Sequence, residues 1–180
     1  MLNIGVPMAG RGSRFTSAGF DLPKPLILVH GKPMVSLVIE NVRPSRPHRF
    51  IFLCLAEHLE RYPVAELLLA RCPGAVIVPV RTVTEGAACT VLLARDHIDR
   101  DDALLIANSD QWVDASIDAF LAEADRASLD GIIMTMRAND PKWSFVRFLP
   151  NGLVGEVVEK VVVSDEATVG LYHFRSGRRF

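Results

Sequence analysis

The residues best suited to chemistry lie in a glycine-bearing loop near the N-terminus, Gly10-Arg11-Gly12-Ser13-Arg14. Small residues let backbone N–H groups approach a chain of phosphates closely, and the helical turn predicted to follow adds a favourable dipole. The guanidinium of Arg14 can bind two phosphate oxygens at once. The pattern therefore indicates a site for a nucleoside triphosphate, although two glycines also suit an ordinary tight turn.

Two other phosphate-binding loops do not fit these residues. A dinucleotide-binding loop needs a third glycine, where this chain has Phe15, and an acidic residue about 20 positions further on. A Walker loop ends in Gly-Lys followed by Ser or Thr, and the sequence lacks that ending.

A second candidate group is Lys24, which lies between Pro23 and Pro25. The following ring keeps the Lys24 backbone out of the helical region, so its ammonium group is presented at little cost in ordering. The alternative is that Lys24 is an ordinary surface lysine in a proline-rich loop, without a role in binding. Its position shortly after Arg14 favours a role with phosphate.

These residues are positioned by elements that alternate between strand and helix over the first two thirds of the chain. Short apolar runs predict strands at Leu2–Pro7, Phe50–Leu55, Ala75–Val80 and Ala103–Ala107. Apolar residues at helical spacing predict helices at Pro33–Val42, Ala56–Ala70, Glu85–Arg95 and Ser116–Ala127. The alternation predicts an α/β fold with a Rossmann-like mixed, mostly parallel sheet flanked by helices.

The last third of the sequence is predicted to be rich in strands. They are expected at Gly131–Arg137, Ser144–Phe148, Val154–Val158 and Thr168–Phe174. Pro150-Asn151-Gly152 is a typical hairpin turn. No linker composition interrupts the chain, so residues 1–180 are expected to form one domain with a β-rich C-terminal part.

The segment Pro7–Phe15, followed by Pro23-Lys24-Pro25-Leu26, resembles the signature of the sugar-1-phosphate nucleotidyltransferases, also called NDP-sugar pyrophosphorylases. The branch that it resembles is the bacterial capsule and surface-polysaccharide type. The resemblance implies the nucleotide-diphospho-sugar transferase type of fold. It also implies that the phosphate of a sugar 1-phosphate attacks the α-phosphorus of a nucleoside triphosphate, which releases pyrophosphate and forms an NDP-sugar.

The resemblance further implies a role for each matching residue. Arg14 would draw charge onto the leaving pyrophosphate, Lys24 would stabilise the α-phosphoryl group, and Asp110 would hold a Mg²⁺ cofactor. The nucleotide would be bound by Met8, Ala9, Gly10, Arg11, Gly12, Glu85, Gly86, Ala87 and Asn108. The acceptor would be bound by Ser144, Glu159, Lys160 and Gly170.

Two features depart from the family pattern. Many members carry Tyr-Gly where this chain has Trp143-Ser144, so the Ser144 side chain is expected to narrow the acceptor pocket. Family members usually continue beyond the position of Phe180 into a portion that supplies a second metal-binding aspartate. We therefore expect a shortened domain in which the triphosphate itself provides most of the Mg²⁺ ligands. Because Thr168–Phe174 would leave one face uncovered, the chain is expected to pair with another copy or to be poorly active alone.

Three other functions stay open at this stage. The first is a cytidylyltransferase for a phosphorylated non-sugar acceptor such as phosphocholine. The second is a metal-dependent glycosyltransferase, which would carry Asp-x-Asp where Asn108-Ser109-Asp110 has one carboxylate. The third is a non-catalytic nucleotide-binding or regulatory domain. The residues assigned to the site also have purely structural interpretations. Gly86 and Ala87 would then allow close packing of a helix, and Asp110 would cap a helix or form a turn.

Bulk composition narrows the partners and the compartment. The formal net charge of −1 provides no global attraction for nucleic acid, so phosphate sites must be built locally. The three scattered cysteines are typical of reduced thiols in a cytoplasmic protein. The sequence has no apolar run of membrane-spanning length and no signal-peptide pattern. We therefore expect a cytoplasmic protein whose partners are a nucleoside triphosphate and a phosphorylated small molecule, with no nucleic acid and no membrane.

Overall fold

The computed structural model describes residues 1–127 and 129–180, and the side chains of Arg14, Thr16 and Ala127 lie outside what it describes. Its elements, in chain order, are β1 (Leu2–Met8), α1 (Ser13–Ser17), β2 (Leu28–Val29), β3 (Lys32–Pro33), α2 (Met34–Val42), β4 (His48–Leu55), α3 (Ala56–Arg61), α4 (Val64–Arg71), β5 (Val76–Val80), α5 (Ala87–Leu92), α6 (Arg95–Ile98), β6 (Ala103–Ala107), α7 (Ile117–Ala127), β7 (Gly131–Arg137), β8 (Ser144–Phe148), β9 (Val154–Glu159) and β10 (Glu166–Phe174). Short 3₁₀ turns lie at Lys24–Leu26 and Gly177–Arg179.

The first two thirds of the chain build the parallel part of one eight-stranded sheet, in the order β5-β4-β1-β6. Leu2 lies opposite His48 on one side and Ala103 on the other, so β1 is central. Both β1 and β4 are buried along most of their length, as expected for parallel strands covered on two faces. The predicted βαβ organisation is confirmed.

The last third supplies antiparallel strands, which make the sheet mixed as predicted. Strand β10 runs antiparallel to β6, with Tyr172 opposite Ile106, and pairs with β7 along its other edge. Its N-terminal half meets β8, which in turn pairs with β9. The predicted turn between β8 and β9 is present, because the Leu149 N–H donates to the Leu153 carbonyl at 2.7 Å.

Helices cover both faces of the sheet with separate hydrophobic clusters. Side chains of α2, α4 and α7 pack on one face, where Val38, Leu68 and Leu121 are almost completely buried. On the other face, Val91 of α5 and Ile98 of α6 pack against alternate residues of β4 and β6. The two faces alternate along each strand, as strand geometry requires. No helix in the described ranges is long and apolar enough to cross a membrane.

The structure corrects three expectations about these elements. The helix predicted over Ala56–Ala70 is two helices, α3 and α4, because Pro63 lacks an N–H group and its ring clashes with the preceding turn. The helix predicted over Glu85–Arg95 begins after Gly86, whose backbone is extended, and continues after a bend as α6. The ribbon of β2 and β3 was not predicted from the sequence.

The expectation that β10 leaves one face uncovered is also wrong. Val169 and Leu171 pack in the same hydrophobic cluster as Leu121 of α7. On the opposite face, the ring of Phe174 meets that of Phe180, with centroids 5.1 Å apart. The chain itself therefore covers β10.

Candidate functional site

The central strands β1 and β6 end at the same edge of the sheet, because they are parallel neighbours. Open α/β sheets bind ligands at this carboxyl edge. A cavity of about 320 Å³ lies there. Its lining is Pro7, Met8, Ala9, Gly10, Gly12, Lys24, Pro25, Val83, Thr84, Gly86, Ala87, Thr90, Asn108, Ser109 and Asp110. We call this space the first cavity.

The two glycines of the loop after β1 are needed for different reasons. Gly12 has φ +63°, a conformation that favours glycine, and an added Cβ would lie 3.3 Å from the Cβ of Lys24. Its carbonyl accepts a hydrogen bond from the Phe15 N–H at 2.8 Å, which starts α1. At Gly10, an added Cβ would meet no protein atom within 4 Å. A side chain at Gly10 would therefore extend into space that is open for a ligand.

The turn before α5 offers a second open surface. Thr84 and Thr90 both donate hydrogen bonds to the carbonyl of Gly86, at 3.0 and 3.1 Å, which fixes the turn. Gly86 is extended, a conformation open to any residue, and a Cβ there would also meet nothing within 4 Å. Close helix packing therefore does not explain this glycine, whereas room for a flat ring does.

The opposite wall of the first cavity carries a charged pair. Lys24 begins the 3₁₀ turn Lys24–Leu26, so the expectation that the ring of Pro25 keeps its backbone out of the helical region is wrong. The Lys24 ammonium group forms an ion pair with the carboxylate of Asp110. The Lys24 side chain is 25% exposed and that of Asp110 is 36% exposed, so both groups are accessible from the cavity. A lysine and a carboxylate side by side can bind phosphate oxygens and a divalent cation, once each exchanges its partner.

The donor set suits one way of holding Mg²⁺. In the described part of the chain, no three His, Cys, Asp or Glu side chains are grouped as a metal site would need. Mg²⁺ is commonly held by one or two carboxylates together with substrate phosphates and water. Asp110 fits that mode, with a triphosphate supplying the remaining oxygens.

Two of the predicted nucleotide-binding residues, Arg11 and Glu85, do not belong to the described lining of the first cavity. Arg11 instead lines a separate cavity of about 600 Å³ together with His58 and Arg61. Burial lowers the pKa of His58 in that second cavity. Glu85 is exposed and outside the lining. The side chain of Arg14 lies outside the described residues, so its predicted contact with pyrophosphate stays a prediction.

A further cavity of about 660 Å³ adjoins the first one, and Asp110 lines both. The lining of this third cavity is completed by Gln111, Trp112, Val113, Asp114, Ala115, Met134, Thr135, Met136, Trp143 and Val169. Sequence reasoning did not select Gln111 or Trp112 as site residues. The available signal was a tryptophan in the polar segment directly after the strand that ends at Ala107.

Gly170 is placed behind the loop that carries Asp110. Its carbonyl accepts the backbone N–H of Asn108 at 3.0 Å, and the Asn108 amide donates to the Gln111 side chain at 2.8 Å. Gly170 has φ +76° within the irregular part of β10. An added Cβ would lie 2.7 Å from Asn108 Cγ and closer still to the Gln111 carboxamide. Gly170 therefore acts on the site through Asn108 and Gln111.

The other predicted acceptor residues lie on the β8–β9 hairpin. Ser144 is opposite Glu159, whose carboxylate pairs with the Lys160 ammonium at 2.6 Å. Lys160 has φ +59°, and this left-handed turn brings the two adjacent side chains together, as the predicted shared contact requires. Neither Ser144 nor this pair belongs to the described lining of the first or the third cavity.

Comparisons with known proteins found a matching family model and several solved structures of similar fold. A sequence model of the family described as Nucleotidyl transferase matches residues 6–178. A nucleoside-diphosphate-sugar pyrophosphorylase from Vibrio cholerae RC9 is 26% identical, with a TM-score of 0.74, over 95% of this chain and 72% of that one. UDP-glucose pyrophosphorylase from Acinetobacter baumanii is 19% identical, with a TM-score of 0.73, over 99% and 75%. A Bacillus anthracis protein described as a glucose-1-phosphate thymidylyltransferase is 17% identical, with a TM-score of 0.78, over 99% and 72%. The last two show likeness of fold alone.

Proposed function

This chain belongs to the nucleotidyl transferase family, and on that premise we propose that its acceptor is a sugar 1-phosphate. In this proposal a nucleoside monophosphate passes from a triphosphate to the acceptor, which forms an NDP-sugar and releases pyrophosphate. One observation carries it: the first cavity unites the glycine loop, Lys24, the open turn at Gly86 and the carboxylate of Asp110. The proposed setting is surface-polysaccharide synthesis.

The proposed nucleotide pose uses the two open glycines. The base lies against Gly86 and Ala87, where no protein atom would meet a Cβ at Gly86. The triphosphate follows the loop at Gly10 and Gly12, whose backbone N–H groups and following helical turn suit phosphate oxygens. This pose places the α-phosphorus near Lys24, at the wall that Asp110 shares with the third cavity.

The proposed catalysis consists of positioning and charge neutralisation. An acceptor phosphate has a second pKa of about 6, so it is already a nucleophile near pH 7 and needs no general base. Lys24 exchanges its bond to Asp110 for the α-phosphoryl oxygens and stabilises the charge that develops there. Asp110 would hold Mg²⁺, which supplies neutralisation of phosphate charge when bound. Arg14 is proposed to bind the pyrophosphate.

The proposed acceptor site is the third cavity. Its volume of about 660 Å³ lies within the usual range for small-molecule sites, and Asp110 connects it to the first cavity. An acceptor there would present its phosphate at the shared wall, in reach of Lys24. The likeness to a nucleoside-diphosphate-sugar pyrophosphorylase at 26% identity supports a sugar as the remainder of the acceptor.

The decisive experiment measures pyrophosphate release for four nucleoside triphosphates, each with a panel of sugar 1-phosphates and with phosphocholine. We expect release with at least one sugar 1-phosphate. Release with phosphocholine alone would replace the proposed acceptor by a non-sugar one. Nucleotide binding by calorimetry without release for any acceptor would instead indicate a non-catalytic nucleotide-binding domain.

Two further proposals concern the state of the protein. The cytoplasm is the proposed compartment, because Cys54, Cys72 and Cys89 are all free thiols. We propose no pairing with another copy to cover β10, because residues of the same chain already cover both faces of this strand. Light scattering alongside pyrophosphate release tests whether the active species is a monomer.

A further inference from the structure

Trp112 is 63% exposed, more than any other large apolar residue among those that the structure describes. An indole gains a large free energy when it leaves water, so a sequence selected for stability alone would bury it. Tryptophan is enriched at interfaces, where a ligand or partner covers the ring. The surroundings of Trp112 indicate which of these applies.

Hydrogen bonds hold the residues on both sides of Trp112. The side chain of the preceding residue, Gln111, accepts a hydrogen bond from the Asn108 side-chain amide at 2.8 Å. The following residue, Val113, donates its N–H to the Asn41 carboxamide and accepts from it, both at 2.9 Å. The segment that carries Trp112 is thus attached to Asn108, directly after β6, and to Asn41 of α2. An attached segment loses less conformational entropy when a ligand packs on it than a free loop does.

The ring lines the third cavity, whose chemistry is uneven. Trp143, Met134 and Met136 make part of the wall apolar and aromatic, whereas Asp110 and Asp114 supply carboxylates. No lysine or arginine belongs to the described lining of this cavity. The cation that faces Asp110 is Lys24, which lines the first cavity. A ligand that spans both cavities would therefore meet positive charge at one end and aromatic surface at the other.

We propose that Trp112 is the platform on which the sugar ring of the acceptor lies, an inference that rests on the proposed function. A pyranose has an apolar face of C–H groups that packs on an indole, and hydroxyl groups that donate to carboxylates such as Asp114. Its 1-phosphate then extends to the shared wall at Asp110. Trp112 is thereby a specificity-determining residue for the acceptor. The third cavity, at about 660 Å³, has a larger volume than a quaternary ammonium group needs, and Trp112 is exposed to solvent, which favours the sugar over choline.

Fluorescence provides a direct test, because Trp112 and Trp143 are the two tryptophans of the sequence. In Trp143→Phe, Trp112 is the remaining indole. We expect its emission to change and saturate when sugar 1-phosphates from the panel are added, and to stay constant with inorganic phosphate. A response without pyrophosphate release would support the platform and contradict the proposed function. No response to any sugar 1-phosphate, or a response to phosphocholine alone, would overturn the inference.

Steady-state kinetics can distinguish a role of Trp112 in binding the acceptor from a purely structural role. Trp112→Ala should raise the acceptor KM about tenfold, the effect of losing an aromatic contact of ordinary strength, with the triphosphate KM unchanged. Trp112→Phe should recover part of the loss. The matched control is Leu69→Ala, since Leu69 is 45% exposed on α4 and away from the described cavity linings, and it should change neither constant. An unchanged acceptor KM in Trp112→Ala, with release intact, would refute the platform while leaving the proposed function standing.

Discussion

Gly170→Ala is the substitution whose cost can best be worked out from the structure. Gly170 adopts φ +76°, and an added Cβ would lie 2.7 Å from Asn108 Cγ, with the Gln111 carboxamide nearer still. The added Cβ must therefore displace the hydrogen-bonded side chains of Asn108 and Gln111. Asp110 lies between these two residues in the sequence. We expect both stability and catalysis to respond, because the displaced loop carries the proposed metal ligand.

The expected loss of stability has two parts. Holding an L-residue in the left-handed region costs about 1–2 kcal/mol. Breaking the hydrogen bond between the Asn108 and Gln111 side chains costs about 1 kcal/mol more. The free energy of unfolding should thus fall by about 2–3 kcal/mol. For a chain of this length, that corresponds to a decrease in Tm of roughly 4–12 °C.

The assay is urea and thermal unfolding of Gly170→Ala beside Gly152→Ala. Gly152 is the matched control, because it has φ +79° and an added Cβ there would meet nothing within 4 Å. Gly152→Ala should therefore lower the free energy of unfolding only by the cost of holding alanine at positive φ. Adding Gln111→Ala to Gly170→Ala removes one of the overlapping groups, so the two changes should destabilise less together than their sum. Two outcomes would refute the overlap at Gly170. One is an equal loss of unfolding free energy in Gly170→Ala and Gly152→Ala, and the other is a double variant whose loss equals the sum of the losses in Gly170→Ala and Gln111→Ala.

Three other predictions follow from the site and from burial. Lys24→Ala should lower pyrophosphate release about a hundredfold, and Asp110→Asn should raise the Mg²⁺ needed for half-maximal rate, as losses of charge stabilisation do. A near-normal rate at limiting Mg²⁺ would contradict either role. Gly12→Val should weaken triphosphate binding in calorimetry, because at φ +63° the new side chain crowds Lys24, and unchanged affinity in a folded variant would count against the loop. Iodoacetamide at about pH 8 should label the exposed Cys89 but spare Cys54, whose pKa burial raises to about 12, and equal labelling would contradict that burial.

Most of the strands and helices, and the chemistry of the loop after β1, could be predicted from the sequence. Apolar runs and helical spacing placed the four parallel strands and the last four strands within a few residues of their observed bounds. The glycines after β1 act through their own backbone, so the adjacent sequence was enough to predict that loop. The sequence also singled out Lys24, but its backbone forms a 3₁₀ turn instead of the extended conformation expected before a proline. Pro63 was equally visible, and the break that it causes between α3 and α4 could have been predicted.

The grouping of side chains around each cavity could not be predicted from the sequence. Arg11 lies within the glycine loop, yet it lines a different cavity from Gly10 and Gly12, because side-chain direction depends on the turn that the loop adopts. Trp112 and Met134 come from separate elements and line one cavity because the antiparallel strands pack beside β6. The role of Gly170 depends on Asn108, which is distant in the sequence but donates its backbone N–H to the Gly170 carbonyl in the fold.

The physical reason lies in the range of the interactions. Periodicity and turn chemistry arise from contacts within a few residues, so a sequence contains them directly. A cavity is the space left when distant elements pack. Its lining depends on strand order, on register and on irregularities such as the register shift in β10. A shift of one residue in β10 would turn Gly170 away from Asn108 and Gln111, although every local preference of the strand would be unchanged.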